Sequence, residues 1–203
     1  MMDSIKEAGS LVSQRGLEQT NVNLPNLLTL ARILLIPVFV VLFSTPTPER
    51  SLAAALVFVV AAVTDLLDGY LARRRSQVTK LGRLLDPIAD KLLVLSGLIL
   101  LVQFQRVAAV IAILIIAREV AVTGVRAIAA SEGMTLPVER TGKYKMTLQV
   151  IAIVFLILQD GLLFPSWNLH LIGTGLLYLA LALGLISGGQ YFVTFWRQVR
   201  FKG

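Results

Sequence analysis

The chain has no cysteine and a single histidine, His170. The first absence excludes disulfides, thiolate catalysis and cysteine-based zinc sites. The second excludes a histidine-based metal centre. Any bound metal must be held by carboxylate oxygen, which favours magnesium, manganese or calcium over zinc. Charge is scarce as well. Only 15% of the 203 residues are charged, where a soluble domain carries about a quarter. Hydrophobic residues make up 56%, and the mean hydropathy is +0.79. That surplus of apolar side chains has to face lipid. The composition predicts an all-α integral membrane protein of one domain, with no separate soluble module.

The charge that is present is lopsided, at +7 with a pI of about 10.1. In a soluble chain this would suggest nucleic acid. No basic stripe interleaved with aromatics is present, so nucleic acid is not expected as a partner. Lysine- and arginine-rich cytoplasmic loops, and attraction to anionic lipid or phosphate, account for the excess better. The first 24 residues hold Asp3, Lys6, Glu7, Arg15 and Glu18 and no apolar core. They do not read as a signal peptide. Ile5, Leu11, Val12 and Leu17 give at most one weak apolar face, suited to a short interfacial helix or a frayed terminus. Residues 1–24 are thus expected to be a cytoplasmic or interfacial segment, and residues 25–203 the transmembrane domain.

Six apolar segments are long enough to span a bilayer, roughly 26–44, 52–72, 84–104, 107–130, 146–164 and 169–195. Arg73, Arg74, Arg75, Lys80 and Arg83 separate the second from the third. Arg140, Lys143 and Lys145 separate the fourth from the fifth, and Arg197, Arg200 and Lys202 follow the sixth. The other side holds only Arg50 and Arg106. The positive-inside rule places both termini in the cytoplasm, which six spans permit. The last segment contains Gly173, Gly175, Gly184, Gly188 and Gly189. Small residues there suit close packing within one chain, and a dimer face is a further use for them.

Against this apolar background stand Asp65, Asp68, Asp86 and Asp90. An ionised carboxylate at membrane depth is costly and marks a partner or a task. The pairs are spaced i,i+3 and i,i+4, so each lies on one helix face. Two such faces brought together make an all-oxygen pocket of the kind a hard divalent cation takes. Asp68 is four residues from Ala72, about 6 Å at 1.5 Å per residue, which sets the carboxylates near the cytoplasmic edge. Asp86 before Pro87 would serve equally as a helix cap, but a cap does not explain the other three acids. Gly69, Ala72 and Gly82 would let a bulky ligand approach the backbone, and Arg73 could reach a phosphate.

The run Asp65-Leu-Leu-Asp68-Gly69-Tyr-Leu-Ala72-Arg73, followed at fixed spacing by Gly82, Asp86 and Asp90, resembles the signature of the CDP-alcohol phosphotransferase family. The resemblance implies six transmembrane helices, a homodimer and two divalent ions, Mg2+ or Mn2+. It implies that Asp65, Asp68 and Asp86 ligate metal. Asp90 would both ligate metal and act as general base. Gly69, Ala72, Arg73 and Gly82 would line the CDP site. Displacement at the β-phosphorus of a CDP-lipid fits this residue set, since it needs metal and a carboxylate base and no nucleophilic side chain.

The acceptor depends on two further stretches. In the first, Asn26, Thr29 and Arg32 lie at i, i+3, i+6 after Pro25, which suits a helix start. Asn26 and Thr29 are candidates for the CDP-lipid. Arg32, about 9 Å along the axis from Asn26, could snorkel but is better explained by a phosphate partner. In the second, Arg118 and Arg126 stand on roughly one side of the fourth segment, and Lys143 and Lys145 open the fifth. Glu119 is expected to face a different way, leaving Arg118 in need of an anion. A neutral acceptor would not need these cations, whereas a phosphorylated one would. Both stretches resemble the bacterial phosphatidylglycerophosphate synthases within the family. Met146 departs from an expected threonine, and Thr147 and Gln149 are kept. That resemblance implies CDP-diacylglycerol and sn-glycerol 3-phosphate as substrates, with Arg32, Arg118, Arg126, Lys143 and Lys145 as candidate phosphate contacts. A cardiolipin synthase using phosphatidylglycerol, an inositol phosphate acceptor, and a cation or proton transporter are the alternatives. A transporter would place its acids near mid-bilayer.

Overall fold

The computed structural model describes residues 24–75, 80–134, 140–159 and 166–202, with side chains of 24–26, 65–75, 80–87, 90, 140–143 and 200–202 outside that description. The expected interfacial segment 1–24 falls outside it except for its last residue. The described residues form six helices and no strand: α1 Leu24–Phe43, α2 Pro48–Arg75, α3 Lys80–Gln103, α4 Ala109–Ser131, α5 Arg140–Ile157 and α6 Leu169–Lys202. All six match an apolar segment of the sequence.

The ends differ where chemistry other than hydropathy sets them. α2 starts at Pro48, ahead of the expected 52. Proline suits the first helical position, and Thr47 caps the helix, its Oγ1 accepting from Arg50 N at 3.3 Å. α5 begins at Arg140, so the charged run before the apolar stretch is itself helical. α5 also closes at Ile157, short of the expected 164. Arg106 holds that end, with Nη1 donating to the carbonyls of Leu156 at 3.0 Å and Ile157 at 2.8 Å. α6 continues past Phe195 to Lys202.

Neighbouring helices alternate in direction. Phe39 of α1 meets Phe58 of α2 with ring centroids 5.3 Å apart, while Arg32 of α1 bonds Ala61 of α2. Later residues of α1 thus meet earlier residues of α2. Gly173 near the start of α6 packs on Leu156 near the end of α5, and Gly184 on Lys145. α4 and α6 run parallel, since Arg118 meets Gly184 and Arg126 meets Tyr191.

The core lies toward the α1/α2 turn. Phe39, Phe43, Phe58, Leu98, Leu101, Ile153, Leu156 and Ile157 are fully buried there. The Phe104 ring meets Phe43 edge-on at 5.5 Å, and Arg106 sits 5.2 Å over the Phe43 ring. Of the α6 glycines, Gly173, Gly184 and Gly188 face neighbouring helices, and Gly175 and Gly189 face open space. By length and hydropathy, one described helix, Leu169–Val199, suffices to cross a membrane. The apolar stretches Leu27–Phe43, Lys91–Gln103 and Tyr144–Ile157 are shorter.

Candidate functional site

Asp65 and Asp68 lie in the C-terminal part of α2, and Asp86 and Asp90 in the N-terminal part of α3. Because α2 runs on to Arg75 rather than ending near Ala72, the acids sit farther from its end than the sequence predicts. α2 and α3 pack against each other, and the Phe58 ring lies within 3.1 Å of where a Cβ on Gly97 would be. Phe58 precedes the end of α2 by as many residues as Gly97 follows the start of α3, and the same symmetry relates Asp65 to Asp90. The side chains of Asp65, Asp68, Gly69, Ala72, Arg73, Gly82, Asp86 and Asp90 lie outside the described residues, as do those of Asn26 and Lys143. Among the described residues no three or more acids and histidines gather around a common point.

α1 presents its polar face to α2. Thr29 and Arg32 are both buried, Arg32 with no exposed surface at all. Arg32 Nε donates to the carbonyl oxygen of Ala61 at 3.3 Å, one turn before Asp65. The Arg32 guanidinium thus meets α2 one turn before Asp65.

The cations of α4 and α5 are gathered against α6. Arg118 Nε donates to Gly184 O at 2.8 Å, and Nη2 donates to Ser187 Oγ. Arg126 is exposed, donates to the Tyr191 hydroxyl and lies 4.5 Å over the Tyr191 ring. Arg118 and Arg126 thus share one side of α4, as their spacing suggests. Lys145 of α5 is buried.

The expectation for Glu119 is overturned. It faces the cations, accepting on Oε1 from Arg118 Nη1 at 3.1 Å and from Lys145 Nζ. Adjacent residues on a helix point about 100° apart, but both side chains are long enough to bend together over the α5 side. The anion that Arg118 requires is supplied, at least in part, from within the chain.

Three contributors were not evident in the sequence. Ser187 and Tyr191 read there as parts of an apolar span. Lys91 directly follows Asp90 and donates to Thr123 Oγ1, tying α3 to α4. Thr123 in turn donates to Glu119 O at 2.7 Å. The one available signal for Lys91 is a cation inside an otherwise apolar run.

Chemically, one end of the bundle therefore combines a hairpin carrying four aspartates with a set of cations on the adjoining helices. α2 ends and α3 begins there, and so do α4 and α5 respectively. Such an end can hold a ligand rich in phosphate.

Residues 22–186 match the model of the CDP-alcohol phosphatidyltransferase family. The chain is 39% identical over 194 residues to the CDP-diacylglycerol–glycerol-3-phosphate 3-phosphatidyltransferase of Bacillus subtilis, covering 88% of this chain and 97% of that one. It is 41% identical over 173 residues to the protein of that name from Rickettsia typhi, covering 84% and 95%. For the Pseudomonas fluorescens protein of that name the identity is 41% over 186 residues, covering 89% and 94%. With a signature hairpin, a six-helix architecture and matches along most of its length, the chain belongs to the CDP-alcohol phosphatidyltransferase family.

Proposed function

We propose that this enzyme transfers the phosphatidyl group of CDP-diacylglycerol to sn-glycerol 3-phosphate, giving phosphatidylglycerophosphate and CMP. The observation that carries the acceptor is that Arg118, Arg126 and Lys145 all pack against α6, Arg126 and Lys145 toward the end of the bundle where the aspartate hairpin turns and Arg118 deeper, at mid-helix. A phosphorylated acceptor gives these cations a ligand beyond their contacts within the chain, whereas an uncharged alcohol would not. Relatives along most of the chain's length carry the name of this reaction.

In the reaction the acceptor hydroxyl oxygen attacks the β-phosphorus of the CDP-lipid. The new P–O bond forms as the pyrophosphate bond breaks, and CMP leaves with the bonding electrons. Asp90 takes the hydroxyl proton. Asp65, Asp68, Asp86 and Asp90 offer only oxygen, the donor set of hard divalent ions. They would hold two of them, magnesium or manganese, which when bound neutralise charge on the pyrophosphate. Asn26, Thr29, Gly69, Ala72, Arg73 and Gly82 seat the CDP-lipid. Arg32, Arg118, Arg126, Lys143 and Lys145 are the candidate contacts for the acceptor phosphate.

Residues 25–203 form the transmembrane domain in this reading, with 1–24 on the cytoplasmic side. The six helices span the cell membrane, both termini and the active site face the cytoplasm, and the chain pairs as a homodimer. The exposed apolar side chains of Leu34, Val41, Val110, Ile113 and Leu171 support a lipid-facing surface, because patches of this kind are rare on soluble monomers.

The test is release of CMP by purified protein in detergent, given CDP-diacylglycerol, glycerol 3-phosphate and magnesium. Phosphatidylglycerol and inositol phosphate serve as competing acceptors. No CMP from glycerol 3-phosphate, with the lipid substrate shown to be intact, overturns the assignment.

A further inference from the structure

Among the described residues Glu119 is the one acid placed among these cations, and the reaction proposed above gives it no task. Two cations from two helices converge on a single atom of it, Oε1. The side chains of Arg118 and Lys145 are only 10% and 8% exposed, and that of Glu119 is 22% exposed. α6 completes the enclosure. Arg118 is anchored there on Gly184 O and Ser187 Oγ. The bare α6 backbone at Gly184 gives Lys145 room for this close approach, and at Gly188 Arg118 packs at ordinary contact distance. A Cβ on Gly184 would lie 3.2 Å from Lys145 Cδ, and one on Gly188 would lie 3.5 Å from Arg118 Cγ. Arg118, Glu119, Lys145, Gln149 and Gly184 line a cavity of about 10 Å³, room for one water and far too small for a phosphate.

A carboxylate beside two cations can compete with a substrate anion or can hold the cations ready for it. The burial favours the second. Glu119 supplies counter-charge to an ammonium as enclosed as that of Lys145, where a buried charge is strongly disfavoured unless it is paired. Without Glu119, Arg118 would lose the contact that turns its guanidinium toward α5. Among the described residues, two cations and one carboxylate leave the cluster net positive, which favours a phosphate. Arg118 carries five N–H groups, and the contacts named here use three of them.

We propose that Glu119 is a positioning residue: it touches no substrate and fixes Arg118 and Lys145 as a preformed cradle whose open edge receives the acceptor phosphate. The proposal rests on the acceptor assignment above. It locates specificity for a phosphorylated acceptor in a three-helix ion cluster rather than in separate surface cations.

The test uses full-length protein in detergent and follows CMP release while each substrate is varied in turn. Glu119→Gln should raise KM for glycerol 3-phosphate about tenfold, the scale of an effect that reaches the ligand through other residues. KM for CDP-diacylglycerol should stay within about twofold of wild type, a change too small to reflect a lost contact. Glu119→Asp should recover part of the loss. If Glu119→Gln does not survive purification, Ser187→Ala keeps every charge and removes one Arg118 anchor. Its KM for glycerol 3-phosphate should rise about threefold, the scale of one hydrogen bond. An unchanged KM for glycerol 3-phosphate in folded protein overturns the proposal. A lowered KM also overturns it, because the carboxylate would then be a competitor. Equal rises in both KM values would make Glu119 a structural tie and overturn it too. Wild-type protein that releases no CMP with glycerol 3-phosphate overturns instead the acceptor assignment on which the proposal depends.

Discussion

Arg126 and Arg118 lie on one side of one helix yet are placed differently. Arg118 is enclosed by its partners, while Arg126 is exposed and steadied by the Tyr191 ring and hydroxyl. A cation stacked on an aromatic face keeps its charge available at low entropy cost. Arg126→Ala should therefore raise KM for glycerol 3-phosphate by about tenfold or more, with KM for CDP-diacylglycerol little changed. Rates measured against each substrate separately check this. Asp90→Asn is a different kind of change. It removes the base but leaves Asp65, Asp68 and Asp86, so turnover should fall at least about a thousandfold while CDP-diacylglycerol still binds, as measured by calorimetry in detergent. Loss of lipid binding would make Asp90 a ligand first. The four aspartates were legible in the sequence because carboxylates are conspicuous among apolar residues. Ser187, Tyr191 and the inward turn of Glu119 were not, because each depends on which helix lies opposite.

Helices of this chain are visible as apolar runs, but their ends and contacts are set by chemistry that hydropathy does not register. Thr47 and Pro48 start α2 early through a cap. Arg106, which the sequence places among surface charges of one loop, is only 6% exposed and closes α5 by binding its last carbonyls. Those carbonyls have no partner within the helix, as at every helix end. Arg106→Ala should leave them unsatisfied and expose the Phe43 face, destabilising the bundle by about 2–4 kcal/mol. A lower thermal midpoint in detergent, with KM values unchanged in the folded fraction, is the expected result. The glycines of α6 sort in the same way. A Cβ on Gly173 would lie 2.8 Å from Leu156 Cγ, so Gly173→Val should destabilise by about 1–3 kcal/mol through overpacking. Gly175→Val, at a position facing open space, should not. The sequence identified a small-residue face on α6 without showing which glycines the packing needs. That distinction comes from the α5–α6 register.

At the scale of the whole molecule, alternating helix direction gives the two ends unlike chemistry. One end carries the aspartate hairpin, the ion cluster of α4 to α6 and the basic tail of α6. The other carries the Phe43, Phe104 and Arg106 cluster, an exposed Trp167, and His170 Nδ1 at 2.8 Å from Gln159 Oε1. An exposed tryptophan beside polar side chains suits a membrane–water interface. If the helices span the membrane, the two ends must face different compartments, and the positive-inside rule expects the first in the cytoplasm. The lack of cysteine makes this directly testable, since any introduced cysteine is the only thiol. Ser166 lies in the turn before α6 and Ser131 at the end of α4, and both are exposed. In intact cells a membrane-impermeant maleimide should label Ser166→Cys from outside. Ser131→Cys should be labelled only after the membrane is permeabilised. The reverse pattern would put the aspartate end outside and contradict the positive-inside reading of the loops. Labelling of both from outside would mean that α5, the one helix between the two sites, does not cross the membrane, and the alternation that brings the cations to the aspartates would then have to be abandoned.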